Sequence, residues 1–378
     1  MSRSSSFKIK HYINYIAVSA VLILFVILNL TVGLKSSTTV LLEKMAISII
    51  AAVSLSLVVG FLGELSLGHA GFMCVGAYIG GKLATVLSGS IGDGIGTFVI
   101  CIIVGGICAA ICGAVIGLPA LRLKGDYLAI VTLAFGEIVK VVFLQSKPFG
   151  ANLGLSTRRF DKDTCFIVAF VLILITLAVV QNLIRSKHGR AVTSIRDSEI
   201  AAKATGINVT KYKLIVFTIS AFFAGIAGVL YAFTNNTVIS TKFGYNYSIE
   251  ILVMVVLGGM GNISGSIIAA AVITYINTQL QTVLTGDMAV LKDLVYALIL
   301  TVIVIYNNAP ALKGFRERVN FKVLWQKVAK PVHDPSKVRD DAASWEHIPT
   351  KINMDELLSV DIVTKDDGTD GASGKGAK

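Results

Sequence analysis

Apolar runs of about 20 residues recur along this chain, separated by short polar segments. A bilayer core about 30 Å thick is crossed by about 20 apolar residues wound as a helix. The pattern therefore predicts an all-α, polytopic membrane bundle of about ten transmembrane helices. The runs fall at residues 13–34, 45–62, 72–87, 95–118, 127–144, 164–184, 214–234, 247–260, 263–280 and 289–306. Together they make a transmembrane domain over 13–306, after a short N-terminal segment at 1–12. Region 247–280 is short and broken by glycine, so it reads either as two crossings or as one.

The polar segment 185–213 differs from the other connections. It carries seven basic residues (Arg185, Lys187, Arg190, Arg196, Lys203, Lys211, Lys213) against Asp197 and Glu199. Short positive loops stay in the cytoplasm, which predicts that this loop faces inward. It is also patterned. Ala191, Val192 and Ile195 share one helical face, and Ile200, Ala201, Ala204 and Ile207 share another. Asp197 or Ser198 can cap the second helix and Gly206 can stop it. Two short amphipathic helices are predicted, either docking a soluble partner or lying on the membrane surface. With the N-terminus inside, basic residues favour the inner segments, which predicts both termini in the cytoplasm.

Composition narrows the class. The chain is 54% hydrophobic and 15% charged, with a mean hydropathy of +0.75. The net charge of +11 belongs mainly to the inner loops and is not a nucleic-acid surface. Glycine is frequent, as where helices approach closely in lipid; Gly76–Gly80 and Gly113–Gly117 have the spacing for it. The five cysteines lie in or beside apolar runs and read as small packing residues. The N-terminal run is too long for a signal-peptide core and reads as an uncleaved span. Residues 307–378 are charged and end in DDGTDGASGKGAK, predicting a largely disordered cytoplasmic tail.

No phosphate-binding loop, HExxH or CxxC occurs, and the five histidines share no helical face. A membrane enzyme is disfavoured; no cofactor, metal or catalytic residue is predicted for this chain. Two glycine clusters stand out. The first is Gly63–Gly71 (GELSLGHAG), holding Glu64, Ser66, Gly68 and His69. The second runs from Gly258 and Gly259 through Gly261 to Gly265. Each reads as broken helix lining a translocation path, since irregular backbone at membrane depth is tolerated only beside a cavity or inside protein. The first also reads as a cytoplasmic turn with Glu64 and His69 solvated. Glu137 and Lys140, at i and i+3 in an apolar run, read as a structural pair or as a substrate contact. Glu250, nearer a run's end, reads as snorkelling.

The loop resembles the coupling loop of ABC importer permeases, whose EAA-three-residues-Gly pattern is met by Ala201–Gly206, with Ile200 in the Glu position and Glu199 one place early. Four blocks resemble LivM-type permease subunits of branched-chain amino acid importers. They are GELSLGHAGFMCVGAY (63–78), LRLKGDYLAIVTLAFGEIVK (121–140), SKHGRAVTSIRDSEIAAKATGINVTKYKL (186–214) and SIEILVMVVLGGMGNISGSIIAA (248–270). The resemblance spans about residues 40–310. It implies a non-catalytic subunit in a bacterial inner membrane. Its partners would be the lipid bilayer, a LivH-like second permease, two ABC ATPases of LivG/LivF type that use ATP, and an extracytoplasmic substrate-binding protein. Arg190, Arg196, Glu199, Ile200, Ala201, Ala202 and Gly206 would form the coupling contact, with Ala201, Ala202 and Ala204 against the ATPase. Glu64, Ser66, Gly68, His69, Glu137, Gly258, Gly259 and Gly261 would line the path or its gate. The same architecture importing urea, and a lone ion-coupled carrier, remain as alternatives.

Overall fold

The computed structural model describes residues 36–91, 94–123, 125–157 and 162–283, with Val18, Ser19, Leu294, Ala297, Leu298 and Thr301 besides. The expected spans at 13–34 and 289–306, the N-terminal segment and the tail lie outside these residues apart from those isolated positions. Seven helices among the described residues are long and apolar enough to cross a membrane.

The first, α1, runs Ser36–Ser56 and continues as a π-wound stretch, Leu57–Leu62. It begins well before residue 45, so Glu43 and Lys44 belong to the helix and not to a loop. After the extended stretch 63–68 come α2 (His69–Ile91), α3 (Ile95–Ala120), α4 (Asp126–Gln145) and α5 (Lys162–Arg185). The loop folds as α6 (Lys187–Asp197) and α7 (Glu199–Ala204). Then come α8 (Val209–Thr234), the shorter α9 (Tyr245–Gly258) and α10 (Ile263–Val283).

The core is α2 packed against α3 and α8. Small residues set the spacing: a methyl group on Gly76 would overlap the carbonyl oxygen of Gly225, and one on Gly113 would overlap the Ala221 side chain. Lipid offers no hydrophobic drive between helices, so this close backbone approach supplies dispersion contact instead. Phe72 fills the space beside it, edge-on to Phe217 at 5.5 Å between ring centres. The paired glycine spacings of the sequence thus act in packing, and the five cysteines are free thiols, none fully exposed.

Helices α9 and α10 form an antiparallel hairpin. Gly258 lies against Gly265 near the turn, and Asn277 Nδ2 donates to Glu250 Oε1 at 2.8 Å farther along. Region 245–283 therefore returns to the end of the bundle at which it began. At that end two short strands, Leu155–Ser156 and Thr237–Val238, pair antiparallel and tie the connection before α5 to the one after α8.

Candidate functional site: the loop and the broken helices

Each cap of the loop is a local event. Ser186 Oγ accepts from Gly189 N at 3.2 Å and starts α6. Ser198, not Asp197, starts α7, accepting from Ala201 N at 3.3 Å. Gly206 ends α7 with φ +84, while its amide bonds Lys203 O and the Ile207 amide bonds Ala202 O. This pair of bonds is the Schellman arrangement, which needs a left-handed residue at the glycine position. Val192 and Ile195 bury one face of α6 against the bundle.

The faces of α7 correct one expectation. Ala202 is 3% exposed and packs into its own chain's core, so it is not available to a partner. The outward face carries Ile200, 81% exposed, together with exposed Ala201 and Ala204. The burial of Ala202 follows from the Schellman turn, which folds Ile207 back beneath the helix. Arg190 is exposed one helix earlier.

The loop grips the bundle at two points. Arg196 pairs with Asp197 at 3.0 Å and sends Nη1 to the carbonyl oxygen of Gly60, 3.1 Å away, in the π-wound stretch. Lys213, buried at the start of α8, pairs with Glu64 and lies 3.4 Å from Glu199. Glu199 also holds Lys203 at 2.7 Å, one helical turn on. Lys213 was counted above only as one basic loop residue. Its position at a run's border, where snorkelling is the default, hides its partner 149 residues away.

The two glycine clusters meet. Gly60, just before the first, lies so close to Gly261 that a Cβ would sit 2.6 Å from the Gly261 nitrogen. Stretch 63–71 enters the bundle and is not a solvated turn. Gly68 lies against the Thr132 carbonyl of α4, six residues along that helix, and Gly71 lies against Gly136. Its amides find side-chain acceptors: Leu67 N donates to Thr132 Oγ1 at 3.0 Å, and Ala70 N to Ser248 Oγ at 3.1 Å. Backbone freed from a helix in an apolar surrounding needs such partners. His69 is buried and shares a hydrogen bond with Ser54 Oγ at 2.7 Å. Ser66 is buried with its hydroxyl unpartnered. Gly258 and Gly259 lie at the hairpin turn, beside the same junction.

Glu137 stands apart from this cluster. It pairs with Lys140 and accepts from Tyr245 N at 2.8 Å, so it also holds the first turn of α9. A carboxylate at a helix N-terminus is favoured by the unpaired amides there. Both side chains of the pair are partly exposed, 29% and 22%.

Residues 37–305 match the family described as branched-chain amino acid transport system / permease component. The high-affinity branched-chain amino acid transport system permease protein LivM of Salmonella typhimurium is 37% identical over 268 residues, covering 62% of this chain and 61% of that protein. Its Escherichia coli counterpart of the same name is 36% identical with the same shares. The ribose import permease protein RbsC of Escherichia coli is 28% identical over 141 residues, covering 36% of this chain and 43% of that protein. The chain thus spans 61% of the length of the two LivM proteins. No solved structure matches.

Proposed function

Because this chain belongs to the branched-chain amino acid transport permease family over residues 37–305, we propose that it is the membrane-spanning permease of an ATP-driven importer of branched-chain amino acids. In this reading the loop end of the bundle faces the cytoplasm, both termini included. ABC ATPases dock on α7, a second permease of LivH type completes the path, and a binding protein delivers solute at the opposite end. The observation that carries the reading is the wiring of the loop. Lys213 ties Glu199, at the start of α7, to Glu64, and Arg196, at the end of α6, holds Gly60, so both short helices are connected to the stretch where the glycine clusters meet. A push on α7 is therefore felt at Gly60–Glu64 and Gly261, where displaced backbone opens or closes the path. Docking biases a two-state bundle only through such differential contacts.

The docking face is Ile200, Ala201 and Ala204, with Arg190 beside it for acidic or phosphate groups. Ile200→Asp and Ala201→Trp keep the inward face of α7 intact. With both, co-purification of the ATPases is lost and substrate-stimulated ATP hydrolysis in vesicles falls at least about tenfold, the range of hot-spot losses. The protein's yield in the membrane stays unchanged. Retention of ATPase binding and coupled hydrolysis in both variants would remove α7 as the docking element.

A further inference from the structure

At the end of the bundle opposite the loop, α1, α8, α9 and α10 line a half-open cavity of about 280 Å³. Small-molecule sites of drug size begin at roughly 300 Å³, so this one suits a smaller solute. Its lining joins opposite charges to apolar surface. Glu250 stands on α9, with the basic residues Lys44 of α1 and Lys242 of the preceding connection beside it. Ile47, Tyr231 and Tyr247 supply an apolar wall.

Two α10 residues that line the same space carry buried polar atoms without partners. Thr274 is 7% exposed and its Oγ1 makes no hydrogen bond. Asn277 spends its Nδ2 on Glu250 Oε1 at 2.8 Å, and its Oδ1 is buried and unpartnered. A buried polar atom without a partner is costly, so side chains that carry one at a cavity wall mark a place where a ligand can complete the bonding. The side chains are held by elements that pack firmly: the α9–α10 hairpin is closed at Gly258–Gly265, and α9 is anchored at its start by Glu137.

We propose that this cavity is a binding site of the permease itself for a zwitterionic α-amino acid with an apolar side chain. The ligand's ammonium meets the Glu250 carboxylate and the free acceptors Thr274 Oγ1 and Asn277 Oδ1. Its carboxylate meets Lys242, and its side chain lies on Ile47 and the tyrosine rings. A neutral solute such as urea uses neither charge. The site rests on the transport reading above and adds to it that selection is repeated inside the membrane subunit.

The test uses the assembled transporter in nanodiscs without its binding protein, titrated with radiolabelled L-leucine. Competitors are isopentylamine, which lacks the carboxylate, and 4-methylpentanoate, which lacks the ammonium. Leucine binds saturably, and each single-charge analogue competes at least about tenfold more weakly, as the loss of one of two charge pairs requires. Glu250→Gln weakens leucine at least about tenfold and leaves competition by 4-methylpentanoate within about twofold; Lys242→Gln leaves isopentylamine unchanged instead. Should Glu250→Gln disturb folding through Asn277, the isosteric Thr274→Val weakens leucine and isopentylamine and leaves 4-methylpentanoate within about twofold, with the melting temperature unchanged. Absence of saturable leucine binding, or an equal loss for all three probes, overturns the site. Normal ATP-driven leucine uptake in every variant, measured with the binding protein restored, overturns the site and leaves the transport reading standing. Leucine binding with the expected pattern but no ATP-driven uptake keeps the site and overturns the transport reading.

Discussion

Lys213 shows what a single residue contributes to this architecture. Its side chain is 4% exposed and stands between Glu64, at 12%, and Glu199, at 21%. Removing one member of a buried ion pair leaves an uncompensated charge and costs roughly 3–5 kcal/mol. Lys213→Met should therefore lower the melting temperature of the purified protein clearly. Lys213→Met with Glu64→Gln should recover part of that loss, because Glu199 keeps Lys203. A double variant no more stable than the single one would show that the Glu64 pair is not what holds the loop. The sequence made Glu64 and Glu199 visible as candidates and left Lys213 among its basic neighbours. Charge type is legible along a chain; the partner of a charge is a property of the fold. Ala202 carries the same lesson, since its place in a docking pattern said nothing of which side of α7 it would face.

At the scale of elements, run length and glycine punctuation were enough to place α2 through α8 to within a few residues. The failures came where polar residues sit inside a span. Glu43 and Lys44 made the start of α1 look like a loop, yet Glu43 is 1% exposed and Lys44 lines a cavity. A charge facing a polar interior does not end a helix, but periodicity cannot tell it from one that does. Glu250 likewise passed for a snorkelling residue. The α9–α10 region, open in sequence between one crossing and two, folds as a hairpin held by close approach: a methyl on Gly265 would collide with the Gly258 carbonyl oxygen. Gly265→Ala must therefore separate the two helices. Gly261 faces only ordinary contacts but has φ +82, so Gly261→Ala costs backbone strain of about 1–3 kcal/mol. Thermal melts of the two variants should rank Gly265→Ala as the more damaging. The opposite order would mean that the hairpin tolerates opening at its turn.

Across the whole molecule, the two ends of the bundle are chemically distinct. One carries the basic loop and both glycine clusters; the other carries the paired strands and the polar cavity. If the loop end faces the cytoplasm, cysteine at Thr210 in a variant lacking the native five should react with an impermeant maleimide only after permeabilisation. Cysteine at Ser156 should react in intact cells. Labelling of both, or of Thr210 alone, from outside would invert the assigned orientation. What joins the ends is the π-wound stretch before Gly63. There the Glu64 amide reaches back to Val58 O at 3.1 Å, and the Gly60 oxygen is left for Arg196. Ordinary α-helical winding would instead send the Glu64 amide to Gly60, four residues back. The guanidinium thus stands on the oxygen that α-helical winding would offer to the Glu64 amide. While the guanidinium holds it, the stretch keeps its wide, underwound turn; if the loop lets go, the Glu64 amide can take up the tighter bond, drawing Glu64 away from Lys213. The grip of the loop and the winding of the membrane segment thus meet at one carbonyl, and a change in either is registered by the other.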